Sequence, residues 1–148
     1  MPPPAGLFSG CCYLAELLEL AELPCIDAIA HIGYTRRYMK KAGFDLPVDM
    51  AHYGDELDTL LRRMRDRGLA LEVNTSGLRN PDLGETIPGA DVIRRWRALG
   101  GERITLGSDA HTVADAGGGL REGLALIRDC GFAWLTVFRE RKAEFIKI

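Results

Sequence analysis

The chain has 148 residues, 47% of them hydrophobic, which is enough apolar material for one core and too much for a disordered segment. With 19 basic and 21 acidic residues the net charge is -2, so no whole-protein field draws it to nucleic acid or to an anionic membrane. Cys11, Cys12, Cys25 and Cys130 form no C-x-x-C pair, and no apolar run nears the roughly 20 residues of a bilayer span. The start carries no basic signal region, so a soluble, cytoplasmic protein with reduced thiols is expected.

In chain order, residues 1–12 are rich in Pro and Gly and read as an irregular segment, ahead of one domain over residues 13–148. Leu14, Leu17, Leu18 and Ala21 fall at helical spacing, so residues 13–23 read as an amphipathic helix that Pro24 stops. Residues 25–30 form a compact apolar strand, with His31 at its end. Residues 34–53 read as an irregular connection carrying Arg36, Arg37, Lys40 and Lys41, and His52 within it reads as a surface residue.

Asp55 is the expected N-cap of a helix over residues 56–67, with Leu57, Leu60, Leu61 and Met64 as its apolar stripe and Gly68 as its stop. Residues 69–73 are the next strand, followed by the polar run Asn74-Thr75-Ser76-Gly77. Pro88 opens a helix whose face is Val92, Ile93, Trp96 and Leu99. A strand over residues 103–106, a helix over 120–130 with Leu120, Leu124 and Ile127 on one side, and a strand over 132–138 complete the pattern. The charged tail 139–148 is expected to add a helical turn.

Strands alternating with helices predict a parallel α/β fold, and in such folds the reactive groups sit at the carboxyl ends of strands. The run R-I-T-L-G-S-D-A-H, residues 103–111, is the centre of the pattern. A strand ends there, and Asp109 and His111, two residues apart, leave it together. Carboxylate oxygen and neutral imidazole nitrogen both suit Zn, Mn or Fe. The plainer alternative is a turn aspartate beside a surface histidine. That His31, Asn74 with Ser76, and Asp109 with His111 fall at the ends of three successive strands favours a shared metal site.

The phrases I-D-A-I-A-H-I-G-Y-T-R-R-Y (26–38), L-E-V-N-T-S-G-L-R (71–79), G-E-R-I-T-L-G-S-D-A-H (101–111) and D-C-G-F (129–132) together resemble the PHP phosphoesterases. Among these they are most similar to the histidinol-phosphatases of histidine biosynthesis. The resemblance implies part of a distorted (βα)7 barrel, here about four parallel strands with helices, and a centre of divalent metal ions hydrolysing a small phosphorylated substrate. It implies His31, Asp109 and His111 as metal ligands, with Asp109 and His111 at the catalytic centre. Arg36, Arg37 and Arg79 are expected to clamp phosphate, and Asn74 and Ser76 to line the site. Glu72, inside its strand, is open to a role as a structural ion-pair partner.

The family's amino-terminal H-x-H and second-motif ligands are absent, and the chain has 3 histidines in all. It therefore resembles the carboxyl-terminal half of the family. Three readings follow: a histidinol-phosphatase or its carboxyl-terminal part, another PHP phosphoesterase, or a non-catalytic remnant. Open sheet edges would favour self-association or pairing with a separate amino-terminal half.

Overall fold

A computed structural model describes residues 5–43 and 53–148, with the backbone alone for 5–11. The elements are α1 (Ala5–Leu20), β1 (Ala28–Ile29), α2 (Thr35–Lys41), α3 (Gly54–Asp66), β2 (Ala70–Asn74), α4 (Ala90–Ala98), β3 (Ile104–Gly107), α5 (Leu120–Asp129), β4 (Trp134–Arg139) and β5 (Lys142–Lys147). Short 3-10 turns follow β2 at Ser76–Arg79 and β3 at Val113–Asp115.

β1, β2 and β3 form a parallel sheet in that order. Ala28 lies beside Ala70, and Leu71 beside Ile104, so the three strands end close together. Ile29, Leu71, Val73 and Ile104 are buried, which is what helices packed against a parallel sheet demand of its strands. Leu57, Leu60, Leu61 and Met64 of α3 and Val92, Ile93 and Trp96 of α4 supply the facing stripes. α1 packs on α3, and its Leu14 joins the same core.

Five sequence expectations change. Helix α1 begins at Ala5, not at residue 13, because Pro2, Pro3 and Pro4 all precede it. Residues 35–41, expected to be irregular, form α2, since Arg36, Arg37, Met39, Lys40 and Lys41 are good helix formers and Gly43 follows at φ 85°. His52 and the rest of 44–52 lie outside the described residues. α3 begins at Gly54, so Asp55 stands in its first turn, where its charge complements the helix dipole, and makes no cap. The inner side of α5 is Gly123 with Ile127: a Cβ on Gly123 would stand 2.7 Å from both Leu106 Cδ1 and Thr75 Cγ2, while Leu120 and Leu124 are half-buried.

The fifth change concerns the end of the chain. β4 does not extend the parallel ladder as a fourth strand but pairs antiparallel with β5, and the expected helical turn is that second strand. Glu140 and Arg141 turn the hairpin at φ 49° and 64°, the left-handed pair that a tight hairpin requires. Their sequence hides this turn, because neither is Gly or Asn. Arg141 is held there from outside: its guanidinium reaches both Asp27 carboxylate oxygens, at 3.1 and 3.2 Å, and the Pro24 carbonyl at 2.9 Å. β4 stays against the sheet through the Ile104 N–H, which donates to Thr136 Oγ1 at 3.1 Å.

Candidate functional site

The carboxyl ends of β1, β2 and β3 bring His31, Asn74, Ser76 and Asp109 into one cluster. Asn74 is fixed first. Its backbone exchanges hydrogen bonds with Ile87, N–H to O at 2.8 Å and O to N–H at 2.9 Å, so the loop ahead of α4 closes over the end of β2. Its side-chain Oδ1 then accepts from the Ser76 N–H at 2.9 Å and the Ser76 hydroxyl at 2.6 Å. This is an Asx-type turn, which is how a short polar run leaves a strand without losing backbone hydrogen bonds.

Asp109 and His31 are both in the left-handed region, at φ 49° and 38°. Non-glycine residues hold that conformation only when their surroundings enforce it, and such strain gathers at functional sites. Burial works to raise the pKa of Asp109, yet hydrogen bonds from Asn74 and Ser76, with the charges of His111 and His31, outweigh it and hold the carboxyl below its ordinary range. His111 Nε2 lies 3.3 Å from Asp109 Oδ1, with the imidazole otherwise largely in solvent.

His31 is built in more deeply. Its carbonyl accepts from Tyr13 Oη of α1 at 3.2 Å and from the Tyr34 N–H at 3.0 Å. Its ring tilts against Tyr34 with centroids 5.2 Å apart, and its Nδ1 is buried with no hydrogen-bond partner. Its N–H donates to Glu72 Oε2 at 3.2 Å. Glu72 thus takes amide donors, from His31 and from Asn74 Nδ2 at 3.5 Å, where an ion pair had been open. Burial raises the Glu72 pKa, opposed by His31 and reinforced by the charge of Asp109. Its carboxylate borders an open cavity of about 310 Å³ lined also by Ala28, Ala30, Thr105, Leu106 and Gly107.

The arginines take separate positions. Arg36 on α2 pairs with Glu85 at 3.1 Å. Arg37, on the same helix, lies close enough for its charge to act on the Tyr34 phenol, whose pKa the hydrogen bond with Tyr38 and burial raise. Arg79 turns into the loop after β3, donating to the Gly118 carbonyl at 2.9 Å and the Ser108 carbonyl at 2.6 Å. Sequence reasoning passed over Tyr13 and Tyr34. Tyr34 had a signal, an aromatic ring three residues after a strand-end histidine; Tyr13 had none, because its helix reaches His31 only through tertiary packing.

The donor types suit a divalent ion, and the orphaned His31 Nδ1 is a buried nitrogen that one would satisfy. Among the described residues, however, no three His, Cys, Asp or Glu side chains gather around one point.

Fold and site together define an α/β protein whose polar cluster sits where three parallel strands end. No protein-family profile matches the chain. It is 32% identical to a probable histidinol-phosphatase of Clostridium acetobutylicum over 126 residues, 83% of this chain and 47% of that protein. It is 30% identical to a probable histidinol-phosphatase of Thermotoga maritima over 125 residues, 84% of this chain and 50% of that one. The crystal structure of histidinol phosphate phosphatase from Lactococcus lactis, complexed with zinc, L-histidinol and phosphate, superposes with a TM-score of 0.70 at 21% identity. That match covers 96% of this chain and 53% of the other. Over most of its own length the chain is thus similar to proteins named histidinol-phosphatase, and it spans about half the length of the relatives it matches.

Proposed function

We propose that the chain supplies about half of a metal-dependent phosphomonoester hydrolase acting on L-histidinol phosphate, which water cleaves to histidinol and phosphate in the cytoplasm. One observation carries this reading: His31, Asn74, Ser76 and Asp109 meet at adjacent strand ends in a chain 32% identical to a probable histidinol-phosphatase. On this reading the parallel sheet and the neighbouring hairpin are part of a (βα)7 barrel. The remaining strands and metal donors come from outside the described residues.

His31 Nδ1, Asp109 and His111 are the donors this chain offers to Zn, Mn or Fe. Such ions supply a water of lowered pKa and polarise phosphoryl oxygens. Hydrogen bonds from Asn74 and Ser76 lower the Asp109 pKa, which favours the ionised carboxylate that a metal ion binds. The Ser76 hydroxyl, whose proton now goes to Asn74 Oδ1 at 2.6 Å, turns to a phosphate oxygen only by giving up that bond. Arg36, Arg37 and Arg79 are the cations this chain offers to phosphate; Arg36 and Arg79 reach it only by exchanging their present partners, Glu85 for the first and Asp115 with the loop carbonyls for the second.

Zinc content and phosphate release test the reading together. The wild-type chain is expected to retain zinc and the Asp109→Ala/His111→Ala variant to lose it. Phosphate release from histidinol phosphate, ahead of other phosphomonoesters, is expected when the unmatched half of the Thermotoga maritima relative is added. Equal zinc in both proteins, or release that the double variant matches, overturns the assignment.

A further inference from the structure

Glu72 is a carboxylate inside a parallel strand, a place where an ionised group is costly unless its oxygens are used. Here they are used on backbone and carboxamide donors. Oε2 accepts the N–H of His31, on the neighbouring strand's end, and Oε1 accepts from Asn74 Nδ2. The side chain also has a place made for it: a Cβ on Gly107, across on β3, would stand 3.0 Å from Glu72 Oε1. One carboxylate therefore accepts from what leaves β1 and from what ends β2, in space that a side chain on the last residue of β3 would crowd.

The peptide it holds is a strained one. His31 sits at φ 38°, which for a residue with a Cβ costs about 1–2 kcal/mol against the ordinary regions. Tyr13 Oη and the Tyr34 N–H hold its carbonyl, and Glu72 holds its N–H. The carbonyl has two donors and the N–H has this acceptor. Release of the N–H would let the residue relax toward negative φ and swing the imidazole away from the place where Nδ1 is now buried.

We propose that Glu72 is the positioning residue for His31: its carboxylate fixes the left-handed backbone from which the imidazole enters the site, and Gly107 is glycine to leave that carboxylate room. The proposal rests on His31 being a metal donor, as argued above, for its consequence in binding; the backbone part stands apart from it. An amide acceptor is what His31 needs, so Glu72→Gln, with its Oε1 turned to that N–H, retains this bond and gives up only the long one from Asn74 Nδ2. Glu72→Ala loses both. Gly107→Ala displaces the carboxylate without removing it.

The test uses the full chain and two readouts. Hydrogen exchange of the His31 amide, read by NMR, is expected to quicken about tenfold or more in Glu72→Ala, the loss of one hydrogen bond to a charged group. It is expected to stay near the wild-type rate in Glu72→Gln and to fall between in Gly107→Ala. The amides of Leu71 and Val73 report whether the strand itself has loosened. Zinc affinity, measured with the metal alone by competition with a chromogenic chelator, is expected to drop in the same order. If Glu72→Ala leaves a folded chain whose His31 amide exchanges at the wild-type rate, the proposal is overturned. If Glu72→Ala does not fold, Gly107→Ala decides in its place, and an unchanged His31 amide there overturns it. Zinc bound by none of the four proteins counts against the metal reading of His31, while the exchange rates still decide the role of Glu72.

Discussion

Arg79 donates to the carbonyl oxygen of Ser108 at 2.6 Å, so the turn that follows β2 is tied to the loop that follows β3. The same guanidinium reaches Gly118 O at 2.9 Å and lies 3.4 Å from Asp115 Oδ1. One side chain thus spans both ends of the loop that carries Asp109 and His111. Replacing it leaves those carbonyls without their charged donor. Arg79→Ala is expected to cost about 2–3 kcal/mol and to make residues 108–118 the first site of proteolysis. Arg79→Lys, with no fork to serve two carbonyls, is expected to recover less than half of that.

Asp58 on α3 and Arg95 on α4 give a pH-dependent prediction. Arg95 Nε donates to Asp58 Oδ1 at 2.6 Å, and Nη2 also contacts Asp58 Oδ2. That hydrogen bond, against burial and together with the charges of Arg95 and Arg62, holds the Asp58 pKa below its ordinary 3.8. A carboxyl whose folded pKa is depressed contributes stability above its unfolded value and loses it as pH falls through the folded one. Asp58→Asn is therefore expected to cost about 1–2 kcal/mol at pH 7, a modest figure because both arginines reach solvent. Urea melts at decreasing pH should show this gap closing below pH 3.8, and a gap constant with pH would remove the ion pair from the account.

Gly101 lies under Trp96. A Cβ there would stand 2.1 Å from the indole Cδ2, and the indole cannot yield, being 1% exposed and hydrogen-bonded from Nε1 to the Arg103 carbonyl at 3.1 Å. Gly101→Ala is expected to lower stability by about 1–3 kcal/mol, seen as a lower urea midpoint with unchanged slope. Gly54→Ala is the control: it has open space around its Cβ and begins α3, so it should be neutral or slightly stabilising.

Glu140 carries strain with little to hold it. It stands exposed at φ 49° in the hairpin turn. Asn tolerates that region better, so Glu140→Asn is expected to raise stability by about 0.5–1 kcal/mol. A melting temperature that falls instead would show that the turn depends on Glu140 itself.

Much of this molecule was legible in its residues. The stripes of α3 and α4 could be read because apolar residues at helical spacing have one place to go, and Leu57, Leu60, Leu61, Met64, Val92, Ile93 and Trp96 are buried. The strand ends were legible too: β2 closes with Asn74 and β3 with Gly107, where polar and glycine residues succeed apolar ones. The hairpin at Glu140 and Arg141 was not legible, since the partner that holds Arg141 in place is Asp27, at the far end of the chain. α2 was missed because its positive charges and nearby glycines resemble a loop when counted locally. Glu72 looked like an ion-pair partner because its donors, the His31 N–H and the Asn74 carboxamide, are groups that no pattern of side-chain charges reveals.

Sequence alone determined which residues are available to the site, because the alternation of apolar strands and amphipathic helices places His31, Asn74, Ser76, Asp109 and His111 after strands, and burial forces that alternation. Tertiary structure decided how they meet. The parallel register of β1, β2 and β3 sets the three strand ends side by side. The left-handed backbones of His31 and Asp109 then depend on contacts from α1, β2 and the loops, and a conformation that costs energy locally is held only by partners distant in the chain.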